Sequence, residues 1–241
     1  MEIIQAINIV KAFGKKIVLA DVSLNLEKGK LYGLIGPSGS GKSVLLKTLA
    51  GIYEPELGSV KRSGSSMSLM FQEGALFDSM SILDNVAFSL VSGRVPVQNL
   101  SKDEKEMVTK KVGYILHRVG LGQAAHKLPS QISGGMRKRA SLARALVAKP
   151  DIVFLDDPTS GLDPVSSNVI MNLISELHSE YNPTMIIVSH DLRRLLPKVE
   201  HIISMWDGQI IFQGDLSNLK KTNDSTLRHF VSCRFDLGAQ A

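Results

Sequence analysis

Between Gly36 and Ser43 the chain reads GPSGSGKS, which fits the pattern G-x-x-x-x-G-K-[ST]. An apolar run from Lys30 to Ile35 precedes it, and a helix-forming run from Val44 to Ala50 follows. Strand, tight loop and helix in that order are what such a loop requires. Small residues let successive backbone N–H groups turn inward, and the free N–H groups opening the helix add a partial positive charge. The segment therefore predicts an anion cradle built from Gly36, Pro37, Ser38, Gly39, Ser40, Gly41, Lys42, Ser43 and Val44. In such a cradle Lys42 reaches the β- and γ-phosphates of a nucleotide, and the Ser43 hydroxyl takes a place on Mg²⁺. A glycine-rich turn serving only as a turn does not need Lys-Ser at those offsets.

Around this loop the hydrophobic periodicity predicts an α/β chain. Residues 3–26 alternate apolar and polar twice, with Gly14-Lys15-Lys16 between, as antiparallel strands joined by a turn do. Phe13 ends the first of these and is a candidate either to stack on a base or to cap the core. Short strands are expected near Ser59-Val60 and at Met67 to Phe71, the second running into Gln72. Residues 75–91 are apolar without strict alternation. Residues 101–119 predict an amphipathic helix with a Ser101/Glu104 capping box and Val108, Val112, Ile115, Leu116 and Val119 on one face. The expected division is a core of 1–74 and 131–213, an inserted helical subdomain over 75–130 with Gly93 to Leu100 as its flexible loop, and a C-terminal helix and tail over 214–241. In the second part of the core, a helix opens at Ser133-Gly134-Gly135 and runs to about Ala148. The continuous apolar run Ile152 to Leu155 reads as a strand buried on both faces. A helix over Val165 to Glu180, a strand over Thr184 to Ser189, a helix after His190, and strands over His201 to Trp206 and Gln209 to Gln213 complete it. Beyond these, a helix through Leu227 to Val231 with a loose end is expected.

Bulk properties narrow the class. The net charge of +5 suits an anionic ligand, a nucleic acid or an acidic membrane surface. The single cysteine, Cys233, excludes an internal disulfide and suits a reducing compartment. No apolar run approaches the ~18 residues that span a bilayer, and no signal peptide opens the chain. The expectation is a chain that serves a membrane from the cytoplasmic side, through a partner.

A phosphate loop alone admits kinases, GTPases and many ATPases. Asp156, at the end of an apolar strand, is a candidate to hold Mg²⁺ beside Ser43. Asp157 can orient or deprotonate an attacking water; an isolated Asp-Asp pair after a strand is more often a helix N-terminal cap, but following a phosphate loop in one domain it favours the catalytic reading. Ser133-Gly134-Gly135 offers a hydroxyl, glycine N–H groups and a helix N-terminus, either as a second anion site or as a capped helix start.

In order along nearly the whole chain stand the phosphate loop, Gln72, Ser133-Gly134-Gly135, Asp156-Asp157, Ser160-Gly161-Leu162-Asp163 and His190. This set resembles the ATPase subunits of ABC transporters. The resemblance implies a P-loop NTPase core of the ABC type, with an antiparallel β subdomain and an inserted α-helical subdomain. It also implies a head-to-tail homodimer in which ATP lies between the phosphate loop of one copy and Ser133-Gly134-Gly135 of the other. By the same resemblance Gln72 senses Mg²⁺ and the transmembrane partner, His190 grips the γ-phosphate, Asp163 acts across the dimer, and Phe13 stacks on adenine. ATP as the glue between copies would let hydrolysis switch a closed dimer to an open one.

GALFDSMSILDNVAFSL (Gly74 to Leu90) and SGGMRKRASLARAL (Ser133 to Leu146) further resemble the ATPases of Mla/Mce-type lipid transport systems. Met136 stands where most of the family carries glutamine, and Arg137-Lys138-Arg139 follows it; a solvated helix face accounts for part of that charge. The partners this implies are an inner-membrane permease and an Mce-type lipid-binding protein, with the chain peripheral on the cytoplasmic face of the inner membrane. A groove from Gln72 to Leu90 would receive a permease helix. An ATPase of a small-solute importer or exporter would share every site residue. A nucleic-acid ATPase is disfavoured, because such heads carry long coiled coils where this chain has one short subdomain, so no nucleic-acid partner is expected. One departure stands out: Asp157 is one methylene shorter than the glutamate of most active members. Slow hydrolysis, a shifted backbone, or at the extreme a non-catalytic scaffold would follow from it.

Overall fold

The computed structural model describes residues 1–63 and 66–236. Its centre is a six-stranded sheet in the order β5-β6-β7-β3-β8-β9. These are β3 (Leu31–Ile35), β5 (Met67–Met70), β6 (Ile152–Asp156), β7 (Thr184–Val188), β8 (His201–Trp206) and β9 (Gln209–Gly214). All pairs are parallel except β8 with β9, which turn back on each other at Asp207-Gly208. A second, antiparallel sheet places β1 (Glu2–Phe13) between β2 (Lys16–Glu27) and β4 (Leu57–Arg62).

The period-2 side-chain alternation of β6 divides the interior into two cores. Ile152 and Phe154 face one side with Ile186 and Val188 of β7, against the antiparallel sheet and helix α1 (Lys42–Leu49). Val153 and Leu155 face the other with Met185 and Ile187, against the helices. Both faces are closed, which is why these strands read as unbroken apolar runs. The alternation of β1 and β2 is interrupted where Asn8 and Asp21 adopt positive φ, at 49° and 60°. There Asn8 Nδ2 donates to Asp21 Oδ1 at 2.6 Å and the pairing register shifts.

The helical layer comprises α2 (Ile82–Ala87), α3 (Lys102–Arg118) and α4 (Gly134–Leu146). Val108, Val112, Ile115, Leu116 and Val119 are all buried, as the helical period requires. The capping box takes a different form from the expected one. The Ser101 hydroxyl donates to Glu104 Oε2 at 3.0 Å and accepts no helix N–H, while the Glu104 carboxylate reaches back to the Ser101 backbone. Gly93 to Leu100, expected as the flexible loop of this part, is tied at several points. Val97 is buried and its N–H donates to Asp84 Oδ1 at 2.8 Å, while Arg94 pairs with Glu104 at 2.8 Å. Fully buried Asn85 organises the segment before α2, exchanging hydrogen bonds with Phe77 N–H and the carbonyls of Phe77, Met80 and Ser81.

Beyond β6 come α5 (Pro164–Tyr181), the single turn α6 (Leu192–Leu195), α7 (Leu216–Lys220) and α8 (Ser225–Ser232). Helix α7 was not expected from the sequence; its Asp215 cap is the local signal for it, accepting from Asn218 N–H at 2.7 Å. The loose end expected after Val231 includes residues 237–241, which lie outside the described residues.

Phe154 is wholly buried between the two sheets, two residues before Asp156. Phe154→Ala should lower unfolding stability by about 3–5 kcal/mol, read from urea denaturation. A change within experimental error would contradict the two-faced core.

Candidate nucleotide site

Parallel pairing brings the ends of β3, β6 and β7 to one edge. Val188 of β7 pairs with Leu34 on one side and with Asp156 on the other. The loop after β3, the Asp156-Asp157 pair and His190 therefore emerge together at the carboxyl ends of the strands, where open α/β sheets bind ligands. A cleft of about 440 Å³ lies there, lined by Ser38, Gly39, Gly41, Lys42, Ser43, Val44, Gln72, Asp156, Asp157 and His190, with Val18 and Val188.

Within the cradle, Lys42 is buried and its ammonium donates to the carbonyls of Gly36 (2.9 Å) and Pro37 (2.6 Å). Burial pushes its pKa down, opposed by Asp156 and Asp157. Gly36 adopts φ +144°, and a Cβ there would lie 2.1 Å from the Met205 carbonyl oxygen, so only glycine lets the loop pass β8. The hydroxyl of Ser40 is buried without a hydrogen-bond partner. The opening N–H groups of α1 likewise have no intrahelical acceptor. A cradle with unmet donors and a buried ammonium fits a polyphosphate.

Ser43 Oγ donates to Asp156 Oδ1 at 2.9 Å, joining residues 113 apart in sequence. These are hard oxygen donors of the kind Mg²⁺ takes, with room beside them for waters. Asp157 follows in the left-handed region at φ 44°, with its N–H on the Val188 carbonyl at 3.0 Å. Burial pushes its carboxyl pKa up, and the pull of His190 and Lys138 opposes this. His190 Nε2 lies 3.9 Å from Asp157 Oδ2 and its ring is half exposed toward the cleft.

Other candidates lie outside this cleft. Phe13 packs edge-on against Tyr53, ring centroids 5.4 Å apart, and is not among the lining residues; Val18 takes the place at the wall. Ser133 caps α4, its hydroxyl accepting from Met136 N–H at 3.3 Å. Asp163 caps α5 through Val165 and Ser166 N–H. A Cβ on Gly135 would come 3.7 Å from Ser166 Oγ, so Ser133-Gly134-Gly135 sits beside the Asp163 turn, and none of the three lines the cleft.

The basic triplet is solvated only in part: Arg137 is exposed, Arg139 half-buried and Lys138 buried. Arg137 and Arg139 donate to the carbonyls of Ile132 and Val119 at 2.8 and 2.7 Å. Lys138 is buried, its ammonium on the Gln72 carbonyl and on Ser160 Oγ. Its position on the apolar face of α4, between Gly135 and Leu142, is the signal that could have marked it.

The family profile described as ABC transporter matches residues 19–160. The chain belongs to the ABC transporter family. It is an ABC ATPase, the nucleotide-hydrolysing subunit of a transporter. Among its relatives, the intermembrane phospholipid transport system ATP-binding protein MlaF of Escherichia coli K12 is 34% identical, over 90% of this chain and 84% of that protein. MlaF of Haemophilus influenzae is 33% identical, over 97% and 92%. A probable ribonucleotide transport ATP-binding protein, mkl, of Mycobacterium leprae is 35% identical, over 96% of this chain and 69% of that one. The structure is similar to a nucleotide-free ABC cassette, with TM-score 0.81 and 28% identity over 95% of this chain and 98% of that one. It is also similar to a dimeric cassette in a post-hydrolysis state with ADP and Pi, with TM-score 0.77 and 28% identity over 88% and 98%. No helix among the described residues is long and apolar enough to cross a membrane.

If the short acid at position 157 limits this ATPase, Asp157→Glu should raise turnover by about tenfold, within the ~10²-fold that 1 Å of displacement costs. Phosphate release under saturating ATP reads it. Equal rates would show that the left-handed backbone at Asp157 already delivers the carboxylate.

Proposed function

We propose that this ABC ATPase energises transport of a lipid of the phospholipid class. It would do so peripherally, on the cytoplasmic face of an inner membrane, docked to a permease that works with an Mce-type lipid-binding protein. What carries the reading is the likeness to MlaF over nearly the whole chain, joined to the Met136-Arg137-Lys138-Arg139 departure in the helix that opens at Ser133. Relatives named for ribonucleotide transport favour a second reading, a smaller anionic cargo handled by the same catalytic head.

In this account residues 1–74 and 131–213 act as the nucleotide-binding core, 75–130 as the helical part, and 214–241 as a C-terminal helix and tail. Lys42 leaves the Gly36 and Pro37 carbonyls for the β- and γ-phosphates, which the loop N–H groups cradle. Ser43, Asp156 and Gln72 would hold Mg²⁺, which supplies neutralising charge to the phosphate oxygens. Asp157 orients and deprotonates the attacking water, its raised pKa suiting a base. His190 donates to the γ-phosphate and, from 3.9 Å, steadies Asp157. Phe13, though outside the cleft on one chain, has a half-exposed ring available to adenine.

On one chain Ser133-Gly134-Gly135 and Asp163 lie apart from Lys42, so a second copy arranged head to tail would bring its own set to this nucleotide. Closing two such half-sites on ATP couples its hydrolysis to the permease through Gln72 and the segment to Leu90.

The test is to tag this chain, extract its complex gently from membranes, and identify co-purifying proteins and lipids by mass spectrometry. A permease, an Mce-type protein and bound phospholipid are expected. A permease with a small-solute binding protein would overturn the lipid reading, and no membrane partner would overturn the transporter assembly.

A further inference from the structure

Helix α4 carries more than the Ser133-Gly134-Gly135 start. One of its faces grips the chain that follows β5 by a row of polar side chains at helical spacing. Lys138 Nζ donates to the Gln72 carbonyl. Ser141 Oγ donates to the Gly74 carbonyl at 2.9 Å, and Arg144 donates to the carbonyls of Gly74 and Ala75 at 2.9 and 2.8 Å. Residues spaced three apart on a helix share one face, so this row forms a single seam.

Lys138 differs from the other two because its ammonium also donates to Ser160 Oγ at 3.0 Å. The Ser160 N–H in turn donates to the Asp157 carbonyl at 3.1 Å. The ammonium thus stands between the segment that carries Gln72 and the turn that leads from Asp157 to Asp163. It is buried, with Asp157, Glu73 and Asp156 as the carboxylates that offset its desolvation. It does not line the phosphate cleft. A buried lysine spanning two loops is a costly way to decorate a surface, and it makes a directional link between them.

We propose that Lys138 is a positioning residue for ATP hydrolysis. Its ammonium ties the Gln72 carbonyl to the Ser160 hydroxyl. Helix α4, whose start faces a second copy's nucleotide, then moves as one body with Gln72 at the cleft and with the Asp157–Asp163 turn. Contact of the α4 start with one nucleotide is thereby passed to the acid that serves the other. The inference rests on the roles given above to Gln72, Asp157 and Ser133-Gly134-Gly135.

The experiment measures ATP turnover and equilibrium ATP binding for the full-length chain and for K138M, K138R, S160A and K42A, with thermal melting of each. Methionine keeps the length and loses the donors, whereas arginine keeps donors for both acceptors. K138M should lose about tenfold in kcat while its ATP affinity stays within about twofold of wild type, the pattern of a lost contact that acts after binding. K138R should recover most of that loss. S160A, which removes one acceptor and leaves the charge, should lose about threefold in kcat by the same argument, and it decides the matter if K138M does not fold. Wild-type kcat in K138M or in S160A would overturn the proposal. Equal losses of affinity and kcat, with no recovery in K138R, would reduce Lys138 to general packing and overturn it as well. K42A separates the levels. With K42A inactive, a normal K138M sinks only the role of Lys138, whereas an active K42A would sink the cleft assignment beneath it.

Discussion

Parallel pairing of β3, β6 and β7 is the constraint on which the rest of the molecule depends. It sets Leu34, Asp156 and Val188 in one row, so that loops distant in sequence leave the sheet at the same height. The hydrogen bond from Ser43 to Asp156 is the local expression of that alignment. A slip of one residue in either ladder would turn Asp156 toward the opposite face and Val188 out of its core. The apolar faces of the sheet, each closed by a separate layer, are what prevent that slip.

The same geometry leaves an unmet donor at the cradle of a single chain. Lys42 satisfies itself on loop carbonyls, and the Ser40 hydroxyl has no partner. The capped helix start at Ser133 lies beside the Asp163 turn and outside the phosphate cleft. One copy therefore presents a donor-rich cradle and, elsewhere, a capped helix start, and a nucleotide held between two copies would use both. Within each copy α4 is bound to the segment after β5 through Lys138, Ser141 and Arg144, and through Lys138 to Ser160 in the turn that follows Asp157.

Much of this was legible in the sequence because the signals were local. The phosphate loop announced itself through residue types at fixed offsets, and the buried strands through runs such as IVFLD. Asp156, Asp157 and His190 drew notice because they stand at or just beyond the ends of continuous apolar runs, Ile152 to Leu155 and Met185 to Val188. The failures were tertiary. In Arg137-Lys138-Arg139 the partly solvated reading holds for exposed Arg137 and misses buried Lys138, because composition does not reveal which carbonyls a helix turns toward. The ties of Gly93 to Leu100, expected as a flexible loop, were not legible because the carboxylate that receives the Val97 N–H, Asp84, lies on another element. For Phe13 the sequence left open stacking on a base or capping the core; its half-exposed ring packs edge-on against Tyr53. Asn85 drew no notice, although it organises the turn before α2, since a lone asparagine carries no pattern.

The central claim is that ATP completes its site between two copies of this chain. The most direct measurement is the molar mass of a slow-hydrolysing Asp157→Asn variant by light scattering, with ATP, with ADP and without nucleotide. A dimer with ATP and monomers in the other two conditions is the predicted result. A monomer at saturating ATP, or a dimer indifferent to nucleotide, would contradict the account.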